Sequence, residues 1–190
     1  MKVIIYTANI GDYDNDISHN VIDYPFYKIN CKGVSNSRLY AREIKLNPHK
    51  FLPDHDYSIW IDSNLQMINP KFDFGYDIVT WKHPIRNCVY EEANECIRLK
   101  KDNSETIFKQ IQKYRIENYP ESNGMINSSF LIRKNTPKMQ EFCEAWWNEL
   151  KNNSIRDQLS FNYIFNKFNL SILLLNSYEG FRKLPHKHHK

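Results

Sequence analysis

Tyr57-Ser58-Ile59-Trp60-Ile61-Asp62-Ser63-Asn64 begins as an apolar, β-branched and aromatic run and ends in a carboxylate, a hydroxyl and a carboxamide. The first half has the composition of a buried strand. A buried strand that delivers an Asp and an Asn to its C-terminal end is how open α/β sheets build ligand sites. Oxygen ligands separated by one residue also suit a hard divalent cation. All three polar residues are good turn formers as well. On these eight residues alone, a simple turn and a ligand site stand level.

Working outward, a chain of 190 residues predicts a single domain over 1–190, with a C-terminal tail from about residue 181. Hydrophobic residues at 41% and aromatics at 14% are ample for a core, and 5 Gly with 8 Pro exclude a fibrous or disordered chain. A net charge of +4, spread along the chain, is no dense basic footprint, so no nucleic acid is expected as a partner. Cys31, Cys88, Cys96 and Cys143 form no C-x-x-C pair and no zinc spacing, which reads as free thiols in a reducing compartment. No apolar run approaches the roughly 20 residues that span a bilayer. Lys2-Val3-Ile4-Ile5-Tyr6 is too short and too β-like for a signal peptide, so a cytoplasmic protein is expected, in the host cytoplasm if viral.

Residues 2–8 read as a first buried strand, stopped by Asn9-Ile10-Gly11-Asp12, and an acidic irregular tract fills 12–23. With no G-x-G-x-x-G and no Walker A sequence, neither a dinucleotide fold nor a P-loop is supported. Residues 24–30 offer a second strand. Ser37 can cap a helix over 37–46, on which Arg38, Arg42 and Lys45 share one face. That face is either solvated or a clamp on an anionic group such as a diphosphate. After the 57–62 strand come another at 77–81, the polar cluster Lys82-His83-Pro84-Ile85-Arg86, and helices over 90–101 and 104–117. Glu91 and Glu92 sit in a helical first turn, where acids are favoured by the dipole alone.

A polar loop over 121–127 feeds a strand at 128–133, and Thr136-Pro137 opens a helix. Met139, Phe142, Cys143, Trp146, Trp147 and Leu150 form its core-facing stripe. Ser154-Ile155-Arg156-Asp157 fits a capping box, with Asp157 reaching back to the backbone. A last strand over 170–175 is apolar enough to be central or well covered. Strands separated by helices predict an α/β class: a mostly parallel central sheet with helices on both faces and the site at the strand C-termini.

Polar groups gather at those termini: residues 7–9, Asp62 and Asn64, Lys82 and His83, residues 123–127, Asp157, and the tail histidines His186, His188 and His189. Asp62, Asn64 and one histidine would supply an open coordination set suited to Mn²⁺, with Mg²⁺ close behind. A metal bridging a diphosphate stabilises it as a leaving group. That is the chemistry required to move a sugar from a nucleotide diphosphate.

Four motifs occur in order: Tyr6-Thr7-Ala8-Asn9-Ile10-Gly11-Asp12-Tyr13-Asp14; Ile59-Trp60-Ile61-Asp62-Ser63-Asn64; His83-Pro84-x-Arg86 with Glu91-Glu92-Ala93; and Arg156-Asp157-Gln158-Leu159-Ser160-Phe161. Together they resemble a family of plant and bacterial glycosyltransferase-like proteins of the A-type (GT-A, Rossmann-like) fold, once known only as a domain of unknown function. The chain is also similar to the N-terminal domain of a multi-domain chlorella-virus glycosyltransferase, and its short length is compatible both with a whole protein and with one domain of a larger transferase. The resemblance implies a hexosyl-type transferase that takes a nucleotide-diphosphate sugar, such as UDP-glucose or another UDP-sugar, to a glycan or glycoconjugate acceptor.

By the same resemblance, Asp62-Ser63-Asn64 stands where a D-x-D metal motif belongs, with Asn64 replacing the second carboxylate. Asp62, Asn64 and His186 would be the metal ligands, although His186, His188 and His189 are equally a solvated basic tail. Thr7, Ala8 and Asn9 would hold base and ribose, a contact Asp62 and Ser63 share. Arg38, Arg42 or Lys45 would lie near the phosphates or sugar. Asn127 and Asp157 would face the donor sugar or acceptor, with Asp157 orienting the donor or acting as base. His83 and Arg86 would line the acceptor side. Two other functions use the same groups: a nucleotidyltransferase or sugar-phosphate hydrolase, which would want a second carboxylate at the metal, and a non-catalytic nucleotide-sugar or carbohydrate-binding module.

Overall fold

The run Val3–Ile10 is apolar on both of its alternating faces, and all eight residues are buried, as the central position of a parallel sheet demands. A computed structural model describes residues 1–10 and 24–185. The acidic tract 12–23 and His186, His188 and His189 lie outside the described residues. In chain order the elements are β1 (Val3–Ile10), β2 (Phe26–Cys31), α1 (Ser37–Leu46), α2 (Pro48–Phe51), β3 (Tyr57–Ile61), β4 (Leu65–Met67), β5 (Ile78–Lys82), α3 (Val89–Arg98) and α4 (Ser104–Ile116). There follow β6 (Ile126–Lys134), α5 (Pro137–Lys151), α6 (Asp157–Phe165), β7 (Ile172–Leu175) and β8 (Phe181–Lys183).

Six strands form one sheet in the order β2-β1-β3-β6-β5-β7, and β4 pairs with β8 in a separate ribbon. The β1–β2, β1–β3 and β5–β7 pairings are parallel. Within this six-stranded sheet, among the described residues, β6 alone runs antiparallel, to β3 on one side and β5 on the other. The class is therefore the expected one, a mostly parallel α/β sheet. The reversal of β6 places its N-terminal residues, not its last ones, beside the C-terminal ends of β3 and β5.

The helices differ from expectation. Among the described residues, the buried side chains of α1, α3, α4, α5 and α6 all join one core with Ile4, Tyr6, Ala8, Trp60 and Leu131. The opposite sheet face, with Ile5, Ile59, Ile61, Val79, Trp81 and Phe130, is covered by Tyr24, Phe72, Phe74 and the β4–β8 ribbon. Here aromatic rings, rather than a helical layer, exclude water.

Local signals explain most element ends. Asn36, not Ser37, caps α1: its side chain accepts from the Leu39 N–H at 3.0 Å. Thr136 caps α5 as its sequence predicts, and Met139, Phe142, Cys143, Trp146 and Leu150 are fully buried along its stripe. The capping box before α6 does not form. Ser154 donates its hydroxyl to Asp102 at 2.7 Å, and Asp157 is the first helical residue with its carboxylate turned elsewhere. The strand predicted over 170–175 is shorter and lies at the sheet edge, only half covered. Apolar composition alone does not separate an edge strand from a central one.

Candidate functional site

One sheet end gathers four segments. β3 ends and releases Asp62, whose N–H donates to the Ser129 carbonyl at 2.8 Å, so the antiparallel β6 sets the level at which the carboxylate leaves the sheet. Trp60, two residues back and on the same strand face, donates its indole N–H to Asp62 Oδ1 at 2.8 Å. From the helical layer, Lys45 of α1 sends a fully buried ammonium to the same place. It lies 2.7 Å from Asp157 Oδ2, 3.5 Å from Asp62 Oδ1 and 3.1 Å from Ser128 Oγ. Ser128 in turn donates to Asp157 Oδ2 at 3.0 Å, and Arg42 stands 3.8 Å from that oxygen. Two carboxylates and two cations thus interlock across the ends of β3 and β6.

The electrostatics of Asp157 follow from that cage. Burial pushes its carboxyl upward, but Arg42 and Lys45, with Arg156 beyond them, outweigh burial and hold it far below the ordinary carboxylate range. Arg42 answers in kind: burial opposes its charge, and the Asp157 and Asp62 carboxylates raise its pKa above the usual value. Arg42 and Lys45 are three apart on α1 and reach the site together. Arg38, on the turn before, is exposed and donates to the Lys101 carbonyl at 3.0 Å instead.

Asn64 is buried, and its amide N–H donates to the Leu184 carbonyl at 2.9 Å, while the Leu184 N–H donates back to the Asn64 carbonyl at 2.8 Å. This double link carries the β4–β8 ribbon up to the Asp62-Ser63-Asn64 corner and pins the chain two residues before His186. Among the described residues, no group of three His, Cys, Asp or Glu side chains converges as a metal cage. The donor chemistry nevertheless fits a cation that brings its own anionic ligands. Among the described residues, Trp60 and Lys45 both meet Asp62 at Oδ1, which leaves Oδ2 as the oxygen turned to a ligand. Arg42 and Lys45 already match the charges of Asp62 and Asp157, and Arg156 adds a further positive charge nearby, so a divalent ion would need phosphates to complete its charge and coordination.

On β1, Thr7, Ala8 and Asn9 are all buried, and Thr7 Oγ1 has no hydrogen-bond partner among the described residues. Beyond β5, His83 turns inward. Its Nδ1 accepts from the Arg86 N–H at 2.9 Å, and its Nε2 faces Glu92 at 3.7 Å. Burial, assisted by Arg86 and opposed by Glu92, lowers the His83 pKa. Arg86 Nε donates to buried Glu92 at 2.5 Å. His83 is thus a brace for the 83–86 loop, and Arg86 is the member of the pair with exposed surface.

Several residues of the site carry little sequence signal. Ser128 sits inside an apolar strand, and Glu92 is indistinguishable from Glu91 until the fold buries one and exposes the other. Trp60 reads only as part of a buried strand, although period two puts it on the face of Asp62. Asn127 lies beside Ser128 and points the other way: its amide donates to the Tyr178 hydroxyl at 2.8 Å, and its Oδ1 accepts from Ser129.

A sequence model of the TOD1/MUCI70, glycosyltransferase-like domain matches residues 28–188. Among curated proteins no sequence match was found. Among solved structures, the chain is similar to a glycosyltransferase involved in the glycosylation of the major capsid of PBCV-1. The TM-score is 0.52 at 10% identity, over 93% of this chain and 82% of that one. A197 from STIV gives 0.46 at 15% identity, over 93% and 83%. Mouse xyloside xylosyltransferase 1 gives 0.45 at 10% identity, over 92% and 84%. At such identity the first likeness speaks for a shared fold alone.

Proposed function

Because the chain belongs to the TOD1/MUCI70 glycosyltransferase-like domain family, we propose that it transfers a hexosyl unit from a UDP-sugar to a hydroxyl of a glycan or glycoconjugate, with Mn²⁺ or Mg²⁺ at the diphosphate. The observation that carries this reading is the convergence of Asp62 and Asp157 on one buried ammonium, at 3.5 and 2.7 Å, at the sheet end where α/β folds bind their ligands.

In glycosyl transfer the bond from the anomeric carbon to the phosphate oxygen breaks, and the acceptor oxygen bonds to that carbon while losing its proton. Positive charge develops on the sugar ring in between. A carboxylate held by two cations is a weak proton acceptor, so of the two roles expected for Asp157, orienting the donor is the one its environment supports. It also sets negative potential beside the ring. Arg42, with about a quarter of its side chain exposed, is the cation placed to meet phosphate or sugar oxygens, whereas Lys45 is enclosed and serves to hold the two carboxylates in register. Thr7, Ala8, Asn9 and Ser63 remain the base and ribose side, Asn127 faces the donor sugar or the acceptor, and Arg86 lies on the acceptor side.

The metal, when bound, would neutralise charge developing on the leaving diphosphate. Asp62 would hold it, with Asn64 contributing an amide oxygen and His186, two residues past the pinned Leu184, completing the protein ligands. Calorimetry with UDP, with and without Mn²⁺, tests the reading: binding in neither condition sinks it. Asp62→Ala should abolish the Mn²⁺-dependent part of UDP binding, and Asn64→Asp should keep or tighten it. If Asp62→Ala binds like wild type, Asp62-Ser63-Asn64 is only a turn.

A further inference from the structure

We propose that Tyr178 is a sugar platform for the acceptor, its exposed ring stacking against the apolar face of a hexose at the mouth of the site. The proposal rests on the glycosyl-transfer reading above. Tyr178 is 41% exposed although it is fixed from several directions. Its ring meets the buried Trp81 ring edge-on, 4.5 Å between centroids, and its hydroxyl accepts from Asn127 at 2.8 Å. Its carbonyl accepts from the Phe181 N–H at 2.9 Å, closing a turn in which Gly180 has φ +80°. Gly180 is wedged so closely on Asn69 that an added Cβ would lie 2.3 Å from the Asn69 carbonyl oxygen. An aromatic side chain both exposed and immobilised suits stacking, since little freedom remains to be lost on binding.

Position assigns the ring to the acceptor. Successive residues of β6 divide the sheet end, Ser128 bonding Asp157 and Asn127 bonding Tyr178. Across the sheet, β1 and β3 present the nucleotide side, and β6, β5 and β7 follow in that order. Strands lie about 4.8 Å apart, and Trp81 of β5 packs in the ribbon-side core whereas Trp60 belongs to the helix-side core. A ring seated on Trp81 therefore flanks the Asp62–Asp157 cluster from the other sheet face, the side left for a second sugar.

The test is saturation-transfer NMR with methyl β-glucoside, methyl β-galactoside and methyl α-mannoside, with and without saturating UDP, on wild type, Tyr178→Ala and Tyr178→Phe. At least one hexoside should receive saturation through its ring C–H protons. Tyr178→Ala should weaken its binding about tenfold by removing the ring contact, and Tyr178→Phe should stay within about threefold because the ring and its Trp81 contact persist. UDP affinity should be equal in all three proteins. If UDP binds but no hexoside does, or if Tyr178→Ala binds hexosides like wild type, the platform is wrong. If UDP fails to bind wild type, the transferase reading itself falls, and the platform with it.

Discussion

Asp157 has exchanged basicity for position. Its carboxyl is held below its ordinary pKa, so the stability it contributes is complete above about pH 4 and is lost only as pH falls beneath that. Removing the charge leaves the buried ammonium with Asp62 at 3.5 Å as its carboxylate partner, and Asp157→Asn should cost about 3 kcal/mol in urea unfolding. Adding Lys45→Met should recover a large part of that loss without restoring transfer, a coupling that a double-mutant cycle reads directly. His83 acts in a different pH range. Burial lowers its pKa in the fold, so the unfolded chain takes up protons first, and stability declines as pH falls below about 6.5. His49, lowered by burial despite Glu144, adds to the same slope. His83→Asn keeps an acceptor for the Arg86 N–H and should flatten the fall in Tm between pH 7.5 and 5.5. Residue spacing made part of this legible: Arg42 and Lys45 share a helix face. It gave no hint that Arg38 leaves the group, because that depends on where the α3–α4 connection passes.

Among the elements, the strands were the most readable and their directions the least. Buried runs announce themselves by composition, yet nothing in the apolar pattern of Ile126–Lys134 says that it runs against its neighbours. That one reversal brings Asn127 and Ser128, at the start of a strand, to an end otherwise reached by strand termini. The capping box before α6 misled for a similar reason: Ser154 found Asp102 on a distant connection, a partner that local sequence cannot show. The β4–β8 ribbon is the element most exposed to a single substitution. Gly180→Ala would force a left-handed backbone and a collision with Asn69, at a cost of about 2–3 kcal/mol. The loss should appear first as faster hydrogen exchange at the Ile68 and Asn69 amides, which both donate to the Gly180 carbonyl.

At the scale of the whole molecule, ligand binding and folding should be strongly linked. UDP with Mn²⁺ at a hundred times its dissociation constant would add about 2.7 kcal/mol. For a chain of this size that raises Tm by roughly 5–10 °C. UDP alone should give a smaller shift, because without a cation its diphosphate meets the Asp62 and Asp157 carboxylates directly. A shift that is the same with and without Mn²⁺ would remove the metal from the scheme.

The interlock of Lys45, Asp62, Ser128 and Asp157 has a kinetic consequence too. Lys45 and Asp62 lie 17 residues apart, but Ser128 and Asp157 come from distant stretches of chain, and the β3–β6 ladder that aligns them closes a long loop. Pairings of that kind form late, because the entropy of closure must be met before any contact repays it. An early species holding only β1, β2, α1 and β3 would carry Lys45 and Asp62 and lack both oxygens from β6 and α6. During refolding, nucleotide binding should therefore be among the last signals recovered, marking chains that have completed the sheet.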